Sequence, residues 1–487
     1  MFMALLCGAV YFALLAQWGP FPTRLFDADF IHPHLIVRDL AHGGNLFQWS
    51  NSAALYAFPD WLFALTALLP LDSHAAALVS SILLTTGLAL TGGMLINQYL
   101  ALTLPQAIAV YALMLIALRT TASRVIVWLL EYGASVYIHT GATLCVMASI
   151  ILARGIFGGR RPGRYAVAIS IIGGAAIYSD PLYFPWFTAP LLATAIIVAT
   201  LSRKVAPLLA PLCIAAIHGA VFILERIKPF PSHASELFTV DSLTAARFIG
   251  EAVVEGVTLL DLTMVLYATA LPLSVALLVV SCVSLKMSGR IAPHVAQDMI
   301  LGLATLSVIS LPVVFGVIDH ASKLRYVIAL VYLVPVLLVR VIARPTTAPR
   351  LERLSRWAPA LIAILAVPLA PSLFETFRVR PYNELITCLE AHSLTDGYAD
   401  HDFAKPLIFL TDDVVHLAQV GHGGNTNFSN RWRGERIDGG SFQPNFVLTD
   451  KLAPEHLAQF AQPHTIIRCG SSDAWIYDTS SIVAPSR

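Results

Sequence analysis

The chain is 487 residues long, 57% hydrophobic and only 13% charged, with a mean hydropathy of +0.71. Soluble globular domains carry roughly a quarter charged residues, so this composition excludes them and marks a membrane protein. A formal net charge of +1 offers no electrostatic ground for nucleic-acid binding.

The first apolar run, Met1 to Trp18, lacks a basic leading region and is followed by aromatics and prolines where small cleavage-site residues would stand. It reads as a first transmembrane helix and not as a signal peptide. The stretch FDADFIHPHLIVRDL, Phe26 to Leu40, then packs three aspartates, two histidines and an arginine into fifteen positions. Pro33 suits the first turn of a short interfacial helix running to the Gly43-Gly44 stop, which would set His34 and Arg38 one turn apart on one face. Asp27 and Asp29 would stand just before it, where lipid meets water. A partly desolvated carboxylate there can act as a general base, and arginine with histidine can bind a phosphate. The competing reading is that interfacial loops are simply polar.

Further along the chain, apolar runs recur to about residue 373 and predict about eleven spans, near 2–18, 76–96, 106–120, 134–153, 165–179, 186–201, 206–224, 263–283, 298–318, 326–341 and 357–373. Four short connections rich in arginine or lysine (ARGIFGGRRPGR, SRK, KMSGR and RVIARPTTAPRLERLSR) alternate correctly under that count and mark one side as cytoplasmic. The opposite loops hold most of the acids and histidines. Asp60, in FPDW, is expected to cap the next membrane segment. Glu131, Ser135 and His139 recur every four residues, which aligns them on one helix face at the outer end of a span; such groups serve either function or a buried structural pair. Asp180, in YSDPLYF, fits a polar site and an ordinary helix start equally well. In DHASKLRY the cluster of His320, Lys323 and Arg325 lies on the outer side, against the usual charge bias, which favours an anionic ligand over headgroup snorkelling.

From about Thr376 the composition turns polar. The β-prone runs PLIFL, NFVL, HTIIRC and AWIY, separated by turn residues, predict a small α/β domain. The expected division is a membrane domain over 1–375 and an extracytoplasmic α/β domain over 376–487, exported by the odd number of spans. Cys388 and Cys469 fall in that domain and could be paired or free thiols. Cys7, Cys145, Cys213 and Cys282 lie in apolar runs, as small core residues do.

Acidic residues directly after the first span, many spans with polar outer loops and an exported C-terminal domain together resemble the GT-C superfamily of polytopic glycosyltransferases, which includes protein O-mannosyltransferases and lipid A aminoarabinose transferases. The resemblance implies a bacterial inner-membrane enzyme with a periplasmic C-terminal domain, transferring a sugar from a polyprenyl-phosphate carrier to a lipid or glycan acceptor with inversion. It implies a catalytic aspartate in FDADF, where Ala28 separates the two acids; Asp27 corresponds to the first acid, with Asp29 beside it. Lys323 and Arg325 would stabilise the leaving phosphate, with Arg38 and His34 behind them and Glu131, His139 and Asp180 lining the substrate site. A divalent metal at Asp27 and Asp29, with His34, is a further option, although no spacing here is diagnostic of one.

The chain has no Walker-type loop, GxGxxG, CxxC or HExxH. Two other readings stand against the transferase. One is a transporter or flippase of a lipid-linked substrate, which would place its charge near the midplane and often show internal repeats. The other is a catalytically inactive binding protein with the same architecture.

Overall fold

The computed structural model describes residues 1–17, 25–46, 49, 55–121, 134, 139–158, 161–226, 247, 251, 262–288, 291–314, 326–343, 347–420, 443–452, 454–458 and 460–477. Helix α1 (Phe2–Gln17) is followed by α2 (Ala28–Ala41), α3 (Asp60–Ala64) with a 3-10 turn over Leu65–Leu68, α4 (Ser73–Asn97) and α5 (Leu104–Thr121). Next come α6 (Thr140–Gly158), α7 (Pro162–Ser179), a π turn over Phe184–Thr188 leading into α8 (Ala189–Ser202), and α9 (Ala206–Arg226). The helical part closes with α10 (Leu262–Ser288), α11 (Pro293–Val314), α12 (Ala329–Ile342), α13 (Ala348–Ser355) and α14 (Ala358–Arg378).

Among the described residues, seven segments are long and apolar enough to cross a membrane: Ser73–Asn97, Thr140–Gly158, Phe184–Ser202, Ala206–Glu225, Ala268–Ser288, Pro293–Pro312 and one within Ala348–Ala391. Three further apolar helices, Phe2–Gln17, Leu104–Thr120 and Ala329–Ile342, are shorter. A helix therefore stands at each expected apolar run, while the count of eleven crossings goes beyond these seven. Val167, Ile171, Ile196, Leu209, Val280, Ile364 and Val367 are exposed along these helices. In water such a belt would be costly, whereas lipid tails solvate it. Inside, α1 packs on α4 and α14, α4 on α5, and α6 on α7. Small residues allow the closest approaches: a Cβ on Gly8 of α1 would lie 2.7 Å from the Thr86 backbone nitrogen of α4.

After α14, the chain forms α15 (Asn383–Ala391), β1 (Asp396–Asp400), α16 (His401–Leu410), β2 (His416–Val420), β3 (Phe446–Leu448), α17 (Pro454–Leu457), β4 (Thr465–Cys469) and β5 (Ser472–Ile476). The sheet order is β2-β1-β3-β5-β4. Strands β2, β1 and β3 run parallel, with Tyr398 opposite Ala418 and Val447, and β3, β5 and β4 run antiparallel. Three of the expected strands stand at Phe446–Leu448, Thr465–Cys469 and Ser472–Ile476. The fourth run, PLIFL, is instead the end of helix α16. The reason is topological: β1 and β2 are parallel neighbours, and a parallel pair needs a crossover, normally a helix. Strands β1 and β2 themselves carry Asp396, Gly397, Asp400 and Gln419, poor β formers that hide the strands from a propensity reading.

One face of the sheet carries a small core of Tyr398, Ala418, Val420, Val447, Leu452, Phe460 and Tyr477. The other belongs to the same continuous core as the apolar helices, through Leu407, Ile408, Phe409, Leu410 and Ala474. The disulfide Cys388–Cys469 ties α15 to β4, with Cα atoms 5.4 Å apart, which resolves the open choice between pairing and free thiols.

Candidate functional site

Helix α2 begins five residues earlier than a proline start predicts. Asp27 is its N-cap, extended at φ −64° and ψ 148°, and its Oδ1 accepts a hydrogen bond from the Asp29 amide at 3.1 Å. An aspartate cap satisfies an amide that the helix leaves unpaired, so it defines the start more strongly than Pro33, which the helix takes into its interior. Asp29 consequently lies within the first turn, not before the helix, where the positive end of the helix dipole favours a carboxylate. Both aspartates are half-buried, and their neighbours Phe26, Ala28 and Phe30 are buried.

His34 and Arg38 sit one turn apart, as the spacing predicts, and both meet protein partners. The His34 Nε2 is 2.7 Å from the Ser80 hydroxyl of α4, and its ring lies 5.5 Å from Phe409 of α16. Burial pulls its imidazole down to about 4, so at neutral pH it is uncharged. The Arg38 guanidinium donates from Nη2 to Asp412 Oδ1 at 2.9 Å and from Nη1 to Ser73 Oγ at 3.0 Å and to the Phe409 carbonyl at 3.4 Å. It also stacks 5.3 Å over the Phe409 ring, and Ser73 hydrogen-bonds Asp412 in turn. Arg38 thus latches the turn after α16, where Asp412 adopts φ 51°, onto α2 and the start of α4.

That docking brings in a residue the sequence reading passed over. Lys405, in the middle of α16, is only 4% exposed, and the charges facing its ammonium are Asp29 and then Asp27. Desolvation lowers the amine to about 8, with the two carboxylates opposing that fall, so at pH 7 it remains charged. The signal was present in FAKPLIFL, Phe403 to Leu410, where a single cation stands in an apolar helical run: a buried lysine is rare unless acids are paired with it.

A second cluster forms around His139. Its Nδ1 is 2.6 Å from Asp180 Oδ2, with both side chains 3% exposed, and its Nε2 is 3.4 Å from the Tyr56 hydroxyl. Rings of Tyr56, Trp186 and Tyr326 surround the imidazole at 5.4, 6.0 and 5.0 Å. His139 has φ 63°, outside the helical region, and stands just before α6. Glu131 and Ser135 lie outside the described residues, as do His320, Lys323 and Arg325. Tyr326, the first described residue after Arg325, packs its ring against His139. Asp180 is held in turn by the Leu182 amide at 3.1 Å, and the preceding Ser179 binds the Tyr56 and Phe58 amides through its carbonyl and hydroxyl. Two left-handed non-glycine residues, Tyr56 at φ 48° and His139, meet here, which is backbone strain of the kind that accumulates at functional sites.

Helix α3 joins the clusters. It packs against α2, and Asp60 in its first turn is 2% exposed. A Cβ on Gly141, two residues after His139, would collide with the Asp60 carboxylate and lie 2.7 Å from the Pro59 Cδ. Asp60 therefore lies against the start of α6 and makes no N-cap of its own helix, whose cap position is Pro59. Of the expected site residues, Asp27, Asp29, His34 and Arg38 gather under α16, and His139 and Asp180 gather across α3 from them. No protein-family model and no curated protein matches this chain.

Proposed function

We propose that the protein is a membrane glycosyltransferase that moves a sugar from a polyprenyl-phosphate carrier to an acceptor at the periplasmic face of a bacterial inner membrane, with eleven helices crossing and the α/β domain outside. The observation that carries this reading is the placement of Asp27 and Asp29, half-buried at the head of α2, directly after the first apolar helix. The Cys388–Cys469 disulfide supports an oxidising compartment for the α/β domain.

In the reaction, Asp27 takes the proton of the acceptor hydroxyl or amine as its oxygen or nitrogen attacks the anomeric carbon. The bond from that carbon to the carrier phosphate breaks on the opposite face, so configuration inverts and polyprenyl phosphate leaves with the electron pair. Negative charge accumulates on the leaving phosphate, and the cations assigned to it are Lys323 and Arg325. Arg38, held by Asp412, and the neutral His34 serve instead to seat α2.

The test uses purified full-length protein with undecaprenyl-phosphate mannose and undecaprenyl-phosphate aminoarabinose as donors and lipid A or an oligosaccharide as acceptor, measuring undecaprenyl phosphate released. Asp27→Asn should reduce turnover at least about 100-fold, the lower range for losing a general base, without lowering protein yield. Unchanged turnover in that variant removes the mechanism.

A second reading draws on the buried His139–Asp180 pair. An ionisable pair enclosed by apolar helices is the element a proton-coupled transporter of a lipid-linked substrate would use. Proton-driven uptake into proteoliposomes that is lost in Asp180→Asn, with no sugar transfer in the wild type, would favour it.

A further inference from the structure

A pair of nearby carboxylates in a partly desolvated site needs a cation, and in a sugar transferase the usual candidate would be a divalent metal. Here the position is already faced by a protein cation. Lys405 is buried in the interface between α16 and α2, and a connected set of contacts seats α16 there: the Arg38–Asp412 ion pair, the Ser73–Asp412 hydrogen bond and the packing of Phe409 against His34 and Arg38. A buried ammonium remains charged only where acids compensate it, and the acids facing it are Asp29 and Asp27. A divalent ion at the same pair would place three positive charges in one buried pocket, so the metal does not fit while Lys405 is present.

We propose that Lys405 is the resident counter-cation of Asp27 and Asp29, a positioning residue that takes the place of a metal and makes the C-terminal domain a structural part of the acid site. The inference rests on the transferase reading for its catalytic meaning, but its geometry can be tested without any transfer reaction. The α/β domain then acts as one wall of the site: lifting α16 from α2 would withdraw the cation from both acids at once.

The experiment titrates full-length protein in detergent with Mn2+ at pH 6.5, where the Lys405 amine carries its proton, and follows the paramagnetic signal of the free ion. Wild type and Lys405→Arg should leave the pair without Mn2+. Lys405→Met, which keeps the side-chain volume and removes the charge, should gain one Mn2+ per chain, and adding Asp29→Asn to it should remove that gain. Equal Mn2+ uptake by wild type and Lys405→Met overturns the proposal, and so does failure of a folded Lys405→Met to take up Mn2+. With the two donors above, Lys405→Met should lower kcat at least 10-fold with KM little changed, and Lys405→Arg should recover most of it. A wild type that transfers neither sugar while Lys405→Met still gains Mn2+ refutes the transferase and leaves the counter-cation intact.

Discussion

Replacing Lys405 by methionine should make the protein more stable, and the size of the gain follows from the amine's environment. An unfolded lysine titrates at 10.5, and burial brings Lys405 to about 8 in the fold. Below pH 8 both states carry the proton, and the folded state bears the full cost of a charge it holds less readily. The difference of 2.5 pH units, at about 1.4 kcal/mol each, is about 3 kcal/mol. Between about 8 and 10.5 the unfolded chain binds more protons than the folded one, so stability rises with pH; above 10.5 the cost is gone. Lys405→Met carries no proton at any pH and should therefore gain about 3 kcal/mol at pH 7 and show no rise from this group over that window. Thermal unfolding of detergent-solubilised protein, followed by tryptophan fluorescence from pH 6 to 10, measures both. A lower midpoint for Lys405→Met at pH 7, or an equal rise between pH 8 and 10 in both proteins, would refute the reasoning.

Other expectations concern the same contacts. Arg38→Ala removes the ion pair to Asp412 and the hydrogen bonds to Ser73 and the Phe409 carbonyl, and should cost about 2 kcal/mol, seen as faster amide exchange in α16. Cys388→Ser with Cys469→Ser opens a loop with a sequence separation of 81 and should destabilise the α/β domain by about 4 kcal/mol on the chain-entropy argument, read as earlier proteolysis of the C-terminal region. Gly141→Ala drives a methyl group into the Asp60 carboxylate and should lower stability by about 1–3 kcal/mol; an unchanged unfolding midpoint would contradict the close approach.

Asp27, Asp29, His34 and Arg38 were visible as a cluster because they are adjacent in the chain, and helical spacing correctly set His34 and Arg38 a turn apart. Their partners were not visible. Asp412 lies 374 residues from Arg38, and nothing local in either segment points to the other. The helix start was misplaced because Pro33 and Asp27 both signal a helix N-terminus, and only the folded backbone shows that the aspartate's hydrogen bond wins. His139 was expected on a helix face from its spacing to Glu131 and Ser135, which lie outside the described residues; its own backbone is left-handed, and its imidazole meets Asp180.

By itself the sequence determined where apolar helices form, since lipid solvation and backbone hydrogen bonding act on each run of residues independently. It also determined that the C-terminal region would fold as an α/β unit. Only the tertiary structure decided that PLIFL is a helix and not a strand, because a parallel β1–β2 pair demands a crossover, and that this helix carries Lys405 to Asp27 and Asp29. Charge compensation in a buried site is a property of distance in space, and the chain separates Lys405 from the two acids by more than 370 residues before folding brings them together.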